Sequence, residues 1–161
     1  MRSIGELIKA SPELSACREG GFPVGCFRMT ATSTDAPAVP LGEVVIRTIA
    51  MPADANANGD IFGGWLMSQM DLGGAILARG TAHCRVTTAA IDGMSFLRPV
   101  NVGDVVTCYA TLLAIGRSSM RIRVEAWVQR YADSTLQHVT EGTFTYVAID
   151  ERGKPQPVKR A

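Results

Sequence analysis

From Glu43 onward, polar and apolar positions fall into regular patterns. Val44-Val45-Ile46-Arg47-Thr48-Ile49 is rich in β-branched residues and reads as a strand. Phe62, Leu66, Met70, Ile76 and Leu77 recur near helical spacing and predict a helix over Phe62–Arg79. Its polar positions are few, namely Ser68, Gln69, Asp71 and Arg79, which is the pattern of a helix buried on most sides. Gly80 is the expected stop. Strand-like segments follow at about Arg85–Phe96, Asp104–Ile115, Ser118–Arg130 and Gln137–Ile149. In the third of these, Met120, Ile122, Val124, Ala126 and Val128 alternate with Arg121, Arg123, Glu125, Trp127 and Gln129. That is the period of a sheet with one buried face. Gly116-Arg117 predicts a tight hairpin turn between two long strands. One buried helix followed by a run of antiparallel strands is an α+β layout. The sheet must wrap the helix, which is the only large apolar surface available to it.

The segment before Glu43 is different. Thr30–Pro40 is rich in Ala, Ser, Thr and Pro, the composition of a loose linker. Residues 1–42 are therefore read as a flexible extension and residues 43–150 as one domain. Residues 151–161, polar, basic and proline-bearing, are read as a flexible tail. With 161 residues, 47% apolar and 19% charged, the chain has the length and composition of a single globular domain. A net charge of +1 offers no general attraction to nucleic acid, so that class of partner is not expected. No apolar run approaches the roughly 18 residues needed to span a bilayer, so no membrane partner is expected. The cysteines Cys17, Cys26, Cys84 and Cys108 have no C-x-x-C spacing. They are read as reduced thiols of a cytoplasmic protein, with a Cys17–Cys26 disulfide the less favoured alternative.

The most informative stretch is Asn56-Ala57-Asn58-Gly59-Asp60-Ile61-Phe62-Gly63-Gly64-Trp65. A polar, glycine-interrupted loop delivers one carboxylate, Asp60, to the start of the helix. The first N–H groups of a helix lack intrahelical partners and sit at the positive end of its dipole. Gly63 and Gly64 would leave those groups open to a carbonyl oxygen, with Gly64 N–H as the main donor. Asp60 then has two readings that need not exclude each other. It is an N-cap that satisfies a free N–H, or a base or nucleophile beside a polarised carbonyl. Asn58 is a candidate for orienting Asp60 or a substrate, whereas Asn56 reads as a turn former. Gly73-Gly74, at mid-helix, suggests close packing against a strand.

This stretch resembles the acyl-CoA thioesterases of the hotdog fold, most closely the YciA-type enzymes. The similarity is carried by Met51-Pro52-Ala53-Asp54, Asn56 to Trp65, Met67-Ser68-Gln69-Met70-Asp71 and Gly73-Gly74-Ala75. It continues through Gly93-Met94-Ser95-Phe96-Leu97-Arg98-Pro99-Val100 and Val102-Gly103-Asp104, and runs from about Gly42 to about Pro155. It implies a hotdog, an antiparallel sheet wrapped around one long central helix. It implies hydrolysis of acyl-CoA, within fatty acid metabolism, with Asp60 aligned to the catalytic carboxylate. It implies a homo-oligomer, at least a dimer with sites formed at the edge-to-edge interface, and favours a trimer of dimers. Trp127, on the otherwise charged face of its strand, has two readings, an ordinary exposed aromatic or a contact between dimers. Such chains begin shortly before their first strand, at about the distance of Met29, so Met1–Arg28 is read as either a disordered extension or upstream sequence ahead of a true start at Met29, the alternative being an arm that covers a sheet edge.

The substrate's coenzyme A carries phosphates, for which Arg98, Arg117 and Ser118 are the expected partners. Thr88 is a candidate for positioning the water, and Ser68, Gln69 and Asp71 for reaching a neighbouring subunit's site. No metal and no cofactor beyond the substrate's own coenzyme A is expected. Two other functions compete. A dehydratase on the same fold would want a His near the helix start, and the only histidines are His83 and His138. A non-catalytic acyl-CoA-binding protein would usually carry a DNA-binding module, and Met1–Leu41 is too short for one.

Overall fold

The computed structural model describes residues 39–158. The expectations for the N-terminal extension, the Met29 start and the Cys17–Cys26 pair lie outside them. The elements follow the sequence order closely: β1 Glu43–Ile49, α1 Gly63–Ala82, β2 Arg85–Asp92, β3 Val105–Ile115, β4 Ser119–Gln129 and β5 Leu136–Ile149. The strands form one antiparallel sheet in the order β1-β3-β4-β5-β2. The period-two pattern of β4 is realised: Met120, Ile122, Val124, Ala126 and Val128 are fully buried on the face that carries α1. Val106, Cys108, Val139, Phe144, Tyr146 and Ala148 join them from the neighbouring strands.

From α1 come Leu66 and Met70, both essentially buried, each worth roughly 1.5–3 kcal/mol of transfer energy. Gly73 and Gly74 let the helix sit down on the sheet. A Cβ at Gly73 would come 2.7 Å from Val45 Cγ2, and one at Gly74 would strike the Tyr146 ring, with Cζ at 2.9 Å. The close packing expected of this pair is what the structure shows.

Three local outcomes differ from the sequence reading. First, α1 runs through Gly80 to Ala82, and the chain leaves it at His83, which takes the left-handed conformation (φ 51°) while its N–H bonds Arg79 O. The contacts of Ala82, which is fully buried, outweigh the helix-breaking preference of Gly80. Second, Trp127 is only 3% exposed. A register shift at Ala126/Trp127 turns it over His138, with ring centroids 5.0 Å apart, and its indole N–H donates to Glu125 Oε2 at 3.0 Å. Glu125 also accepts the Leu41 N–H and pairs with Arg123 at 3.2 Å. Trp127 is thus closed off by its own protomer and does not carry a contact between dimers. Third, the segment after β5 folds back: Val158 N–H donates to Arg117 O, and Gln156 bonds Ala148 O and Ile149 O. Val158 is buried, so an apolar anchor beyond the prolines holds what the composition alone marks as loose.

Candidate active site

Residues 56–62 form a knot of backbone bonds that carries Asp60 to the start of α1. Asn56 N–H donates to Asp60 O at 2.7 Å, and Gly59 N–H to Asn56 O at 2.9 Å. Asn56 Oδ1 accepts from Asn58 N–H at 2.8 Å and from Asp60 N–H at 3.3 Å. Gly59 sits at φ +88°, a conformation side chains rarely adopt, which is why a glycine precedes the aspartate. The knot is strapped down on both sides. Ile61 N–H donates to Val100 O and Phe62 N–H to Asp54 O, and Asp60 forms a bridge with Asn101.

That strap is itself anchored by an ion pair the sequence reading did not single out. Asp104 is buried and pairs with the Arg130 guanidinium. Its carboxylate also accepts the N–H groups of Asn101 (2.9 Å) and Tyr131 (3.3 Å). Arg130 continues to Pro99 O and Gln137. The loop that bridges Asp60 is therefore tied to β4 and β5. Asp104 was visible only as part of the Val102-Gly103-Asp104 motif. Nothing in its local sequence marks its partner, 26 residues further on.

The helix start is bare. Phe62 is the N-cap, its side chain caps nothing, and the first turn holds no acidic residue. The first backbone bond into the helix is Leu66 N–H to Phe62 O. Among the described residues, no acceptor takes the N–H of Gly63 or Gly64. Asp60 is therefore not the cap, although it is half-buried two residues before it. The two glycines differ. A methyl at Gly63 would lie 3.2 Å from Phe96 Cζ, so Gly63 is small because Phe96 packs on it. A methyl at Gly64 would meet nothing within 4 Å, so nothing in the protomer packs on that side of its α-carbon.

The other candidates fall elsewhere. Asn58 is exposed and its side chain bonds nothing among the described residues, so the asparagine that holds Asp60 is Asn56. Arg98 lies in the loop leading to Val100 and Asn101, with Nη1 donating to His138 O at 2.8 Å. Arg117 and Ser118 sit at the β3–β4 turn, the opposite end of the sheet from Asp104. Thr88 has a partner within the protomer. Its hydroxyl donates to Asp71 Oδ1 at 2.6 Å, and the Tyr146 hydroxyl donates to Asp71 O at 2.9 Å. Burial, with the Asp71 charge second, pushes the Tyr146 phenol up, so it stays a donor. Asp71 and Thr88 thus form a polar pair between mid-helix and the edge strand β2. His83 caps the far end of α1 and His138 stacks under Trp127, so neither stands at the helix start a dehydratase base would need.

Around these groups the protomer is apolar and open. Phe62 at the N-cap, Leu72 and Ile76 on α1, Ile91 on β2, and Phe96 and Leu97 beyond it are each more than a third exposed. Every residue of β2 except Val86 is exposed, and one side of that strand has no neighbour in the sheet.

Residues 58–131 match the Thioesterase superfamily. The chain is 58% identical over 122 residues to the acyl-CoA thioester hydrolase YciA of Salmonella typhimurium, covering 74% of this chain and 92% of that protein. It is similar to the hexameric thioesterase from Yersinia pestis, at 56% identity and TM-score 0.73, over 76% of this chain and all of that one (100%). It is also similar to an acyl-CoA hydrolase from Staphylococcus aureus solved with butyryl coenzyme A, coenzyme A and coenzyme A disulfide. There the identity is 31% and the TM-score 0.66, over 71% of this chain and 70% of that one.

Proposed function

We propose a mechanism for a chain that belongs to the hotdog thioesterase superfamily and is an acyl-CoA thioester hydrolase: Asp60 acts on a thioester whose carbonyl is held by the start of α1. The observation that carries it is the bare helix start. The N–H groups of Gly64 and Gly63 have no acceptor among the described residues and lie at the positive end of a 20-residue helix, and no other part of the protomer packs where a Gly64 side chain would be. Oxyanion charge developing on the carbonyl would find donors that need no reorganisation. Asp60 follows a turn fixed by Asn56, Val100 and Asn101 and serves as general base for water or attacks the carbonyl directly. A thioester is poorly resonance-stabilised, so a weak base suffices. Water, carboxylate and N–H donors complete the reaction without a cofactor.

We further propose that the enzyme is a cytoplasmic homo-oligomer, a dimer through β2 that assembles into a trimer of dimers. The exposed edge of β2 and the apolar surfaces of Phe62, Leu72, Ile76, Phe96 and Leu97 support pairing. The Yersinia pestis relative is described as hexameric. The free thiols Cys84 and Cys108 suit a reducing compartment. In such a dimer the Asp71–Thr88 pair, which joins α1 to β2, would face the partner's site and position substrate or water there. Arg98, in the loop whose Val100 O accepts the Ile61 N–H, is the cation we assign to the substrate's phosphates. Thiol release from acyl-CoA esters of short to long chain tests the activity, and light scattering at micromolar concentration tests the assembly. An active monomer would refute the pairing.

A further inference from the structure

Two hydroxyls converge on the middle of α1 from neighbouring strands. Thr88 on β2 and Tyr146 on β5 stand directly opposite each other in the sheet, and both reach Asp71 on the helix. The Thr88 hydroxyl donates to Asp71 Oδ1 at 2.6 Å. The Tyr146 hydroxyl lies 2.9 Å from Asp71 O and 3.3 Å from the same Oδ1. A phenol has a single proton to give. Both of its acceptors here belong to Asp71. Among the described residues, no group bonds Asp71 Oδ2 and no cation pairs with the carboxylate. This half-buried carboxylate is thus held by hydrogen bonds alone, and both side-chain donors grip one oxygen. That fixes its rotation and leaves Oδ2 to a group from outside the protomer.

The core is shaped around the Tyr146 hydroxyl. The residue is fully buried, and its ring lies nearly parallel to that of Phe144, with centroids 6.3 Å apart. The oxygen needs room at the helix, and Gly74 supplies it, because a Cβ there would overlap the hydroxyl and come 2.9 Å from Cζ. Phenylalanine in the same place would fill the core and bring no donor to the helix. Burial raises the phenol above its usual range, and the Asp71 charge and their hydrogen bond add to the effect. The proton therefore stays on Tyr146 at any pH at which a thioester can be assayed.

We infer that Tyr146 is a positioning residue for the hydrolysis, one that acts through Asp71: its buried hydroxyl, with that of Thr88, sets the carboxylate so that Oδ2 is presented to the partner subunit's site. Tyr146 itself touches no substrate. The inference rests on the proposed reading that the Asp71–Thr88 pair serves that site.

The test is a double-mutant cycle in the full chain, read as kcat and KM on the acyl-CoA best accepted in the chain-length panel. Tyr146→Phe keeps the ring and its packing and removes only the oxygen. The expected result is a fall of about tenfold in kcat, the scale of one hydrogen bond to a charged group, with KM within about twofold and the fold retained. Asp71→Asn keeps the size and lowers kcat by itself. In that background Tyr146→Phe should change kcat by less than about twofold, because the group it acts through is gone. Gly74→Ala displaces the same hydroxyl without removing it and should repeat the pattern, which keeps the test open if the Phe variant folds poorly. A Tyr146→Phe enzyme that turns over at close to the wild-type rate overturns the inference. Equal fractional losses with and without the Asp71 carboxylate overturn it too, and mark a role in the fold alone. A kcat unaltered by Asp71→Asn would instead overturn the reading of the Asp71–Thr88 pair, and this inference with it.

Discussion

Asn56 Oδ1 accepts the backbone N–H of Asp60 at 3.3 Å, and the Asn56 N–H returns to the Asp60 carbonyl oxygen at 2.7 Å. The residue proposed to do the chemistry is thus held through its backbone by an asparagine four positions earlier. Its side chain is left out of the turn.

The two asparagines of the loop should therefore behave differently. Asn56→Ala removes an acceptor shared by two N–H groups, which costs about 1–3 kcal/mol in a half-buried turn. It should lower kcat by about tenfold or more, because the carboxylate loses its fixed position. Asn58→Ala removes an exposed side chain with no described partner and should stay within a few-fold of wild type. Steady-state kinetics on both variants checks this, and equal losses would contradict it.

The anchor of that loop is predicted to be a matter of stability first. The side chains of Asp104 and Arg130 are only 3% and 13% exposed. Asp104→Ala leaves a buried guanidinium unpaired and should cost roughly 3–5 kcal/mol. Urea denaturation of the variant measures it. A loss below about 1 kcal/mol would mean that the pair is not what ties residues 99–104 to β4 and β5.

The glycine pairs of α1 should separate packing from catalysis. Gly74→Ala drives a methyl into the Tyr146 ring and should destabilise by about 1–3 kcal/mol through overpacking. Gly64→Val meets nothing inside the protomer, so the melting temperature should hold while turnover is lost. An active, normally folded Gly64→Val enzyme would argue against backbone donors at this point.

Cysteine reactivity should follow burial. Burial pushes the Cys108 thiol from 9.0 up to about 12, so it remains protonated at pH 8. Its folded value lies above the unfolded one. The stability it contributes is therefore complete below pH 9 and is lost as pH rises toward about 12. Residue-resolved alkylation at pH 8 should label half-buried Cys84 well before Cys108. Simultaneous labelling of the two would contradict the packing of β3.

Much of this molecule can be read from residue order, for identifiable reasons. The strand β4 is legible because its alternation persists over 11 residues and one face is fully buried. The helix is legible from Leu66 and Met70, and the site from the Asn-Gly-Asp loop that runs into Gly63-Gly64. What escapes is long-range. Arg130 finds Asp104 only through the sheet, and Thr88 finds Asp71 only once β2 lies beside α1. Trp127 reads as exposed because the pattern carries no sign of the bulge that turns it over His138. The helix overruns Gly80 because Ala82 has a place in the core, which local propensity cannot register.

The central claim is that Asp60 is a reacting group rather than part of the helix cap, and Asp60→Asn tests it most directly. The amide keeps the size and leaves the backbone bonds to Asn56 intact, so folding should be retained. Initial rates of thiol release from the preferred acyl-CoA should fall by about 10²-fold or more, the scale of a lost general base or nucleophile. A well-folded Asn variant that hydrolyses acyl-CoA at close to the wild-type rate would contradict the account.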